Sequence, residues 1–211
     1  MTNVVHRNFR ATVAGGNLTE NADFAHLVSL ACHDLRTPLA TVHGFAKTLI
    51  RMGNLEEQPA RYVEMIDAAS SQLAELLDEL GLVARIESGR YDPALRPVET
   101  EALARAAAEH LGEDRVGVSG QGGVVSADPV ALERAVSALA QAALRHGGLE
   151  RVEVTAEESG VTIAPITKSS GPVVLGEDLR DLGAAAAVRL VRALGGEVSV
   201  EGETLHVRLP G

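Results

Sequence analysis

From Asn21 onward apolar residues return in helical steps: Phe24, Val28, Ala31, Leu35, Val42, Phe45 and Leu49 lie three, four or seven positions apart. That stripe predicts an amphipathic helix running to about Met52. Gly53-Asn54 punctuates it, and Tyr62, Ile66, Ala69, Leu73, Leu76, Leu77 and Leu80 continue at nearly heptad spacing to about Ser88. Two long helices joined by a short turn predict an antiparallel hairpin, residues 21–90. One hairpin has too little surface to cover both stripes, so the economical solution is a four-helix bundle formed by two chains around a two-fold axis, a homodimer. Residues 1–20 keep no period and read as a flexible N-terminal arm with no assigned function.

Ser88 to Pro93 breaks the helical grammar with Gly and Pro, and a second domain is expected over residues 98–211. A helix from Glu99 to Leu111 precedes strand-like runs at Val116 to Ser119 and Val124 to Ser126. Asp128-Pro129 supplies an N-cap and a first-turn proline for a helix reaching about His146. Val152 to Ala156 and Val161 to Ile166 alternate like a hairpin around Glu158-Ser159-Gly160. A Gly/Ser/Pro loop from Thr167 to Gly176 leads to a helix from about Asp178 to Leu194, closed by Gly195-Gly196, and a last hairpin follows. The fold class is therefore α+β: a dimerising helical hairpin followed by an α/β sandwich with helices on one face of a mixed sheet.

Composition narrows the partners. Lys and Arg total 19 against 29 Asp and Glu, a formal charge of −10, which is the wrong field for nucleic acid or an anionic lipid surface. Aromatic residues make up 2% of the chain, so the core must be built of Ala, Val and Leu. The single cysteine, Cys32, excludes a disulfide framework and a cysteine zinc site, and it suits a helix-packing position. The remaining histidines, among them His43, His110, His146 and His206, are too scattered for a metal set and are expected on helix or strand surfaces. With no apolar run long enough to span a bilayer and no signal core, the expectation is a cytoplasmic protein without membrane contact.

The chemistry lies in His33-Asp34-Leu35-Arg36-Thr37-Pro38-Leu39. On a helix His33 and Thr37 share a face one turn apart, while Leu35, Leu39 and Val42 turn toward the bundle, so His33 should stand in water. Pro38 cannot donate to the carbonyl of Asp34 and should bend or weaken the helix just after the histidine. A neutral imidazole is nucleophilic, and Asp34 can hold its other N–H or accept the proton as phosphorus is attacked. A lone His-Asp pair on a long helix is also compatible with ordinary polar surface, and the complete seven-residue string is what separates the two.

That string resembles the phosphoacceptor box of two-component sensor histidine kinases, H-[DE]-L-[RK]-T-P-L, at every position. The likeness extends through Gly44 and into Leu82-Val83-Ala84-Arg85-Ile86-Glu87-Ser88-Gly89, which is similar to the closing segment of the family's second helix. The resemblance implies that His33 is phosphorylated, that Asp34 serves as base, and that Asp34 with Thr37 supports dephosphorylation of a partner aspartate. Arg36 is expected to face solvent, either as plain surface charge or paired with an acidic receiver surface.

The second domain is similar to the family's ATP-binding domain in frame and departs from it where nucleotide is held. The position of the family's magnesium-binding asparagine is Ala142, whose methyl offers no lone pair to a hard cation. Where the family has D-x-G-x-G, this chain reads Thr167-Lys168-Ser169-Ser170-Gly171-Pro172, without the adenine-binding aspartate. The family's phosphate-side G-L-G-L aligns with Asp181-Leu182-Gly183-Ala184, so Asp181 replaces the first glycine and Gly183 keeps the second. A charge-assisted hydrogen bond is worth roughly 1.5 to 3 kcal/mol, so the missing adenine contact alone costs about ten- to a hundredfold in affinity. From Val98 onward 10 basic and 17 acidic residues leave a net charge of −7, which repels a triphosphate further.

The expected function is a histidine phosphotransferase of a two-component phosphorelay, passing phosphoryl groups between receiver-domain aspartates and His33 without using ATP. Its partners are response-regulator receiver domains and a second copy of the chain, with a hybrid histidine kinase as a candidate donor. No cofactor is expected on this chain, because Mg²⁺ comes with the receiver. Three alternatives stand beside this one: a soluble sensor histidine kinase with a divergent ATP site, a phosphatase of a response regulator, and a non-enzymatic dimeric scaffold.

Overall fold

The computed structural model describes residues 5–53 and 55–210, with side chains from Phe24 onward. The chain separates into two compact units, residues 1–91 and 92–211.

The first unit is a helical hairpin. Helix α1 spans Val5–Met52 and passes through Pro38 without interruption, and α2 spans Glu57–Glu87. Helical backbone thus begins at Val5, inside the stretch whose sequence suggests a loose arm; residues 1–4 of that arm, and the side chains of its remainder, lie outside the described residues. The physical reason for the early start is that lengthening an existing helix adds one hydrogen bond per residue fixed, whereas nucleation is the costly step.

The hairpin seam differs from the one the apolar stripe suggests. On α1 the residues turned toward α2 are Ala25, Cys32, Arg36, Leu39, His43 and Ala46, and from Cys32 on they alternate four- and three-residue steps. On α2 they include Val63, Asp67, Ser70, Gly81 and Ala84. Small and polar residues therefore line the seam and let the two backbones approach closely. The larger apolar residues point the other way: Phe24, Leu35, Phe45, Tyr62, Met65 and Leu73 are each more than half exposed on this single chain. A heptad pattern fixes which residues share a face, not which neighbour that face meets.

The second unit begins with β1 (Arg96–Glu99), a short strand the sequence pattern does not announce. It pairs antiparallel with β3 (Val124–Ala127) in a two-stranded sheet. Helix α3 (Thr100–Leu111) follows β1 directly, with the fully buried Thr100 hydroxyl donating to the carbonyl of Glu157 at 2.7 Å and accepting from the amide of Gly123 at 2.8 Å. The main sheet has the order β2-β4-β5-β7-β6, from β2 (Val116–Ser119), β4 (Val152–Glu157), β5 (Gly160–Ala164), β6 (Glu197–Glu201) and β7 (Thr204–Arg208). The β2-β4 pair is parallel and the others are antiparallel, so the sheet is mixed as expected.

Alternation along β4 turns Val152, Val154 and Ala156 inward, against a layer formed by α3, α4 (Pro129–Gly147) and α6 (Leu182–Ala193). Leu103, Leu132, Leu139, Leu144, Ile163 and Leu190 fill that core, and the Ala184 to Ala187 run allows α6 to pack closely. Asp128 caps α4 through the amide of Ala131 at 3.2 Å, with Pro129 in the first turn, and Gly148 closes the helix at φ +63°, a conformation with no steric cost for glycine. Two details differ from the sequence reading. A one-turn helix α5 (Gly171–Val174) forms inside the expected loop, and α6 starts at Leu182 because Asp181 caps it, not at Asp178.

Candidate functional site

In the first unit the site lies on the exposed side of α1. The His33 side chain is 78% exposed, and its Nδ1 lies 3.3 Å from Oδ1 of Asp34, whose carboxylate is equally open. An acidic neighbour at that atom favours the tautomer with the proton on Nδ1 and leaves the Nε2 lone pair facing solvent. Thr37 is exposed one turn further on, and its carbonyl accepts from the Thr41 hydroxyl at 3.1 Å. His33, Asp34 and Thr37 thus share one accessible surface. Immediately beneath them Cys32 is buried against α2 near Gly81.

Arg36 departs from expectation. It is half-buried and turned to α2, where Oδ1 of Asp78 accepts from its Nε at 3.0 Å and from its Nη2 at 2.9 Å. The reason is the seam: residue 36 follows Cys32 by one turn and faces α2, and the only way to seat a guanidinium there is to give it a carboxylate. Leu35 and Val42, expected to turn toward a two-chain bundle, lie on the outward stripe and are exposed on this single chain. A second polar pair closes the seam two turns along α1, where Nδ1 of His43 lies 3.2 Å from Oδ1 of Asp67 with both side chains largely covered. His43 is therefore a seam residue and not the surface residue its scattered position suggests.

Residues 25–89 match the His Kinase A (phospho-acceptor) domain. This segment is the phospho-acceptor type of helical hairpin. Over this part of the sequence the chain is 33% identical across 86 residues to the circadian input-output histidine kinase CikA of Synechococcus elongatus, covering 40% of this chain and 11% of that protein. It is 36% identical across 78 residues to the probable sensor histidine kinase TcrY of Mycobacterium tuberculosis, covering 36% of this chain and 16% of the other. The matched parts thus span less than a fifth of those relatives. The fold of the chain resembles that of full-length ShkA, solved in complex with AMPPNP, with a TM-score of 0.63, 22% identity, and coverage of 86% of this chain and 44% of that one. It also resembles the Acinetobacter baumannii histidine kinase AdeS, with a TM-score of 0.53, 18% identity, and coverage of 85% and 98%.

In the second unit the residues that the sequence resemblance singles out are buried or engaged within the unit. Ala142 is fully buried, its methyl part of the core. Asp181 Oδ1 accepts from the amide of Ala184 at 3.0 Å, and Oδ2 lies 2.9 Å from Nε2 of His146 and 3.4 Å from Nη1 of Arg145. With its side chain only about 10% exposed, this carboxylate already holds the place at the α6 N-terminus where an external anion would bind. Gly183 follows in the first turn of α6. His146, expected on a helix surface, is thus mostly covered and engaged.

The Thr167 to Ser170 loop is likewise closed on itself. The Ser170 hydroxyl accepts from the Thr167 amide at 3.0 Å, the Ser169 hydroxyl donates to the carbonyl of His146 at 2.8 Å, and Arg180 donates to the carbonyl of Ser169 at 3.1 Å. Val173 and Val174 of α5 are buried beneath it. The His146–Asp181 pair was missed because its members are 35 residues apart; an aspartate at the N-cap spacing before Ala184 was the one local signal. Among the described residues no cluster of three or more metal-ligating side chains forms, and no helix is long and apolar enough to cross a membrane.

Proposed function

We propose that this chain is a homodimeric histidine phosphotransferase of two-component signalling, exchanging phosphoryl groups between receiver-domain aspartates and His33 without consuming ATP. The observation that carries the reading is the contrast between an imidazole standing open beside Asp34 and a nucleotide frame filled by Asp181, His146 and the α5 loop. The donor set of the second unit does not fit a magnesium triphosphate. A buried methyl stands at the metal position, and a carboxylate stands where the phosphates would need amides and cations.

In the forward step Nε2 of His33 attacks phosphorus of a receiver's aspartyl phosphate. The new N–P bond forms as the acyl P–O bond breaks, and the receiver's carboxylate leaves with the electron pair. Phosphorylation makes the ring's Nδ1–H more acidic, and Asp34, 3.3 Å away, accepts that proton or holds it in a charge-assisted contact. The reverse step delivers the phosphoryl group to a second receiver. The receiver's own acidic pocket brings the Mg²⁺ that neutralises the equatorial oxygens, so the helix contributes positioning and a nucleophile. A hybrid histidine kinase is a fitting donor because it carries such a receiver. The outward apolar stripes of α1 and α2 support the homodimer: one chain leaves them in water, and an isologous four-helix bundle buries both at once.

The test is a transfer assay with phosphorylated receiver domains. The wild-type chain should take up acid-labile phosphate and His33→Ala should take up none, while incubation with labelled ATP and magnesium labels neither. Label from ATP on the wild type but not on His33→Ala would establish a working kinase instead. Unchanged transfer by His33→Ala would end the reading altogether.

A further inference from the structure

The seam of the hairpin is mostly small residues, yet it carries the ion pair Arg36–Asp78 and, further along, His43 facing Asp67 at 3.2 Å with no hydrogen bond formed between the facing atoms. Arg36 and His43 are seven residues apart on α1, so the pairs to Asp78 and Asp67 sit about 10 Å apart along the helix at 1.5 Å per residue. Pro38 lies between them. At Pro38 the helix lacks one backbone hydrogen bond, to the carbonyl of Asp34, and α1 nevertheless runs on without a break. Something other than its own ladder must hold the helix on both sides of that gap. On the N-terminal side the candidates are Cys32, packed at Gly81, and Arg36, whose two nitrogens share one oxygen of Asp78.

Gly81 is part of the same device. A Cβ there would come within 3.2 Å of Nη2 of Arg36, a tight contact, so glycine leaves the guanidinium space beside α2, where it reaches Asp78 one turn earlier in that helix. Ring position at His33 follows from these contacts, because its neighbour Cys32 and its next turn at Arg36 are both fixed to α2 while the ring itself touches little beyond Asp34.

We propose that Asp78 is a positioning residue for phosphotransfer: by holding Arg36 beside the gap at Pro38, it ties α1 to α2 and fixes the direction in which His33 is presented to a docked partner. This rests on the reading of His33 as phosphoacceptor and adds the residue that aims it. Arg36 then acts within the chain and not on a receiver's acidic surface.

The test compares Arg36→Ala, Asp78→Ala and the exchanged pair Arg36→Asp with Asp78→Arg, all in the full chain. Three measurements are made: backbone amide hydrogen exchange over residues 36–42, labelling of His33 by phosphoramidate, and transfer from a receiver domain already shown to phosphorylate the wild type. Phosphoramidate is small, gives up its phosphoryl group with loss of ammonia and needs no docking surface, so it reports the reactivity of the ring alone.

Both single variants should raise exchange around Pro38 and slow receiver transfer by about tenfold or more, the scale of a mispositioned group. Asp78→Ala should leave phosphoramidate labelling within about twofold, and the exchanged pair should restore both exchange and transfer. If Arg36→Ala slows transfer while Asp78→Ala does not, or if the exchanged pair stays slow, Arg36 contacts the partner directly and the clamp is refuted. Wild-type hydrogen exchange in Asp78→Ala refutes it as well. His33→Ala separates the two ideas: retention of label in that variant removes the phosphoacceptor, whereas the exchange data still decide the clamp.

Discussion

At the residue scale Asp181 is the clearest case of one side chain changing what a local structure can do. The N-terminus of α6 offers amide donors and a positive dipole end, and a glycine at residue 181 would leave them to an external anion. With aspartate there, the amide of Ala184, the imidazole of His146 and the guanidinium of Arg145 all converge on one nearly buried carboxylate. Asp181→Ala removes an N-cap worth about 1 kcal/mol and leaves a covered polar partner unpaired, a further ~1 to 3 kcal/mol. Urea unfolding of the intact chain should therefore show the second unit's midpoint lowered, with Asp181→Asn in between because it keeps the cap and loses the charge. A double-mutant cycle with His146→Ala should give a coupling energy of at least about 0.5 kcal/mol, and strict additivity would mean that the pair is incidental.

At the element scale the two long helices were legible in the sequence, and the direction in which they face was not. The stripe from Phe24 to Leu49 marks one side of α1 correctly as apolar, and Cys32 packs as expected, but the seam with α2 also uses Arg36 and His43, residues no hydrophobicity pattern would select. The phosphoacceptor string could be read because its seven residues are contiguous, and Asp128-Pro129 announced α4 because a cap is a local device. The pairings of Asp78 and His146 escape the sequence because their partners lie 42 and 35 residues away, a distance that only folding closes. Strand β1 and helix α5 hold four residues each, too few to establish a period. The outward stripe carries its own prediction. Each large apolar side chain buried in a two-chain bundle contributes roughly 1.5 to 3 kcal/mol, and a charge placed among them must be desolvated. Phe45→Glu with Leu73→Glu should raise the dimer dissociation constant by at least about a hundredfold, equivalent to ~3 kcal/mol, as read by sedimentation equilibrium. A dimer of unchanged affinity would mean that the stripe faces something else.

At the scale of the whole molecule, the two units ask for opposite behaviour toward phosphate. On the proposed reading the hairpin presents its open imidazole to a phosphoryl group brought from outside, whereas the second unit, net −7 from Val98 onward, caps the N-terminal end of α6 with its own carboxylate. A kinase needs both units to engage one nucleotide, while a transferase needs only the first, with the second as folded support. The difference is measurable without any assay of transfer. A ligand that binds only the folded state stabilises it by RT ln(1 + [L]/Kd), about 2.7 kcal/mol at a hundred times Kd, which raises the melting temperature of a domain of this size by several degrees. Magnesium ATP at about 1 mM should leave the thermal transition of the intact chain within about one degree of its unliganded value, since any Kd near 10 μM would produce that larger shift. Asp181→Gly should stay equally unresponsive. Freeing the α6 amides restores neither the oxygen ligand absent at Ala142 nor the adenine partner absent from Thr167 to Pro172, and both losses lie in side chains that a single glycine does not replace. A several-degree rise in Asp181→Gly alone would show that Asp181 is the sole barrier, and would return the second unit to nucleotide chemistry.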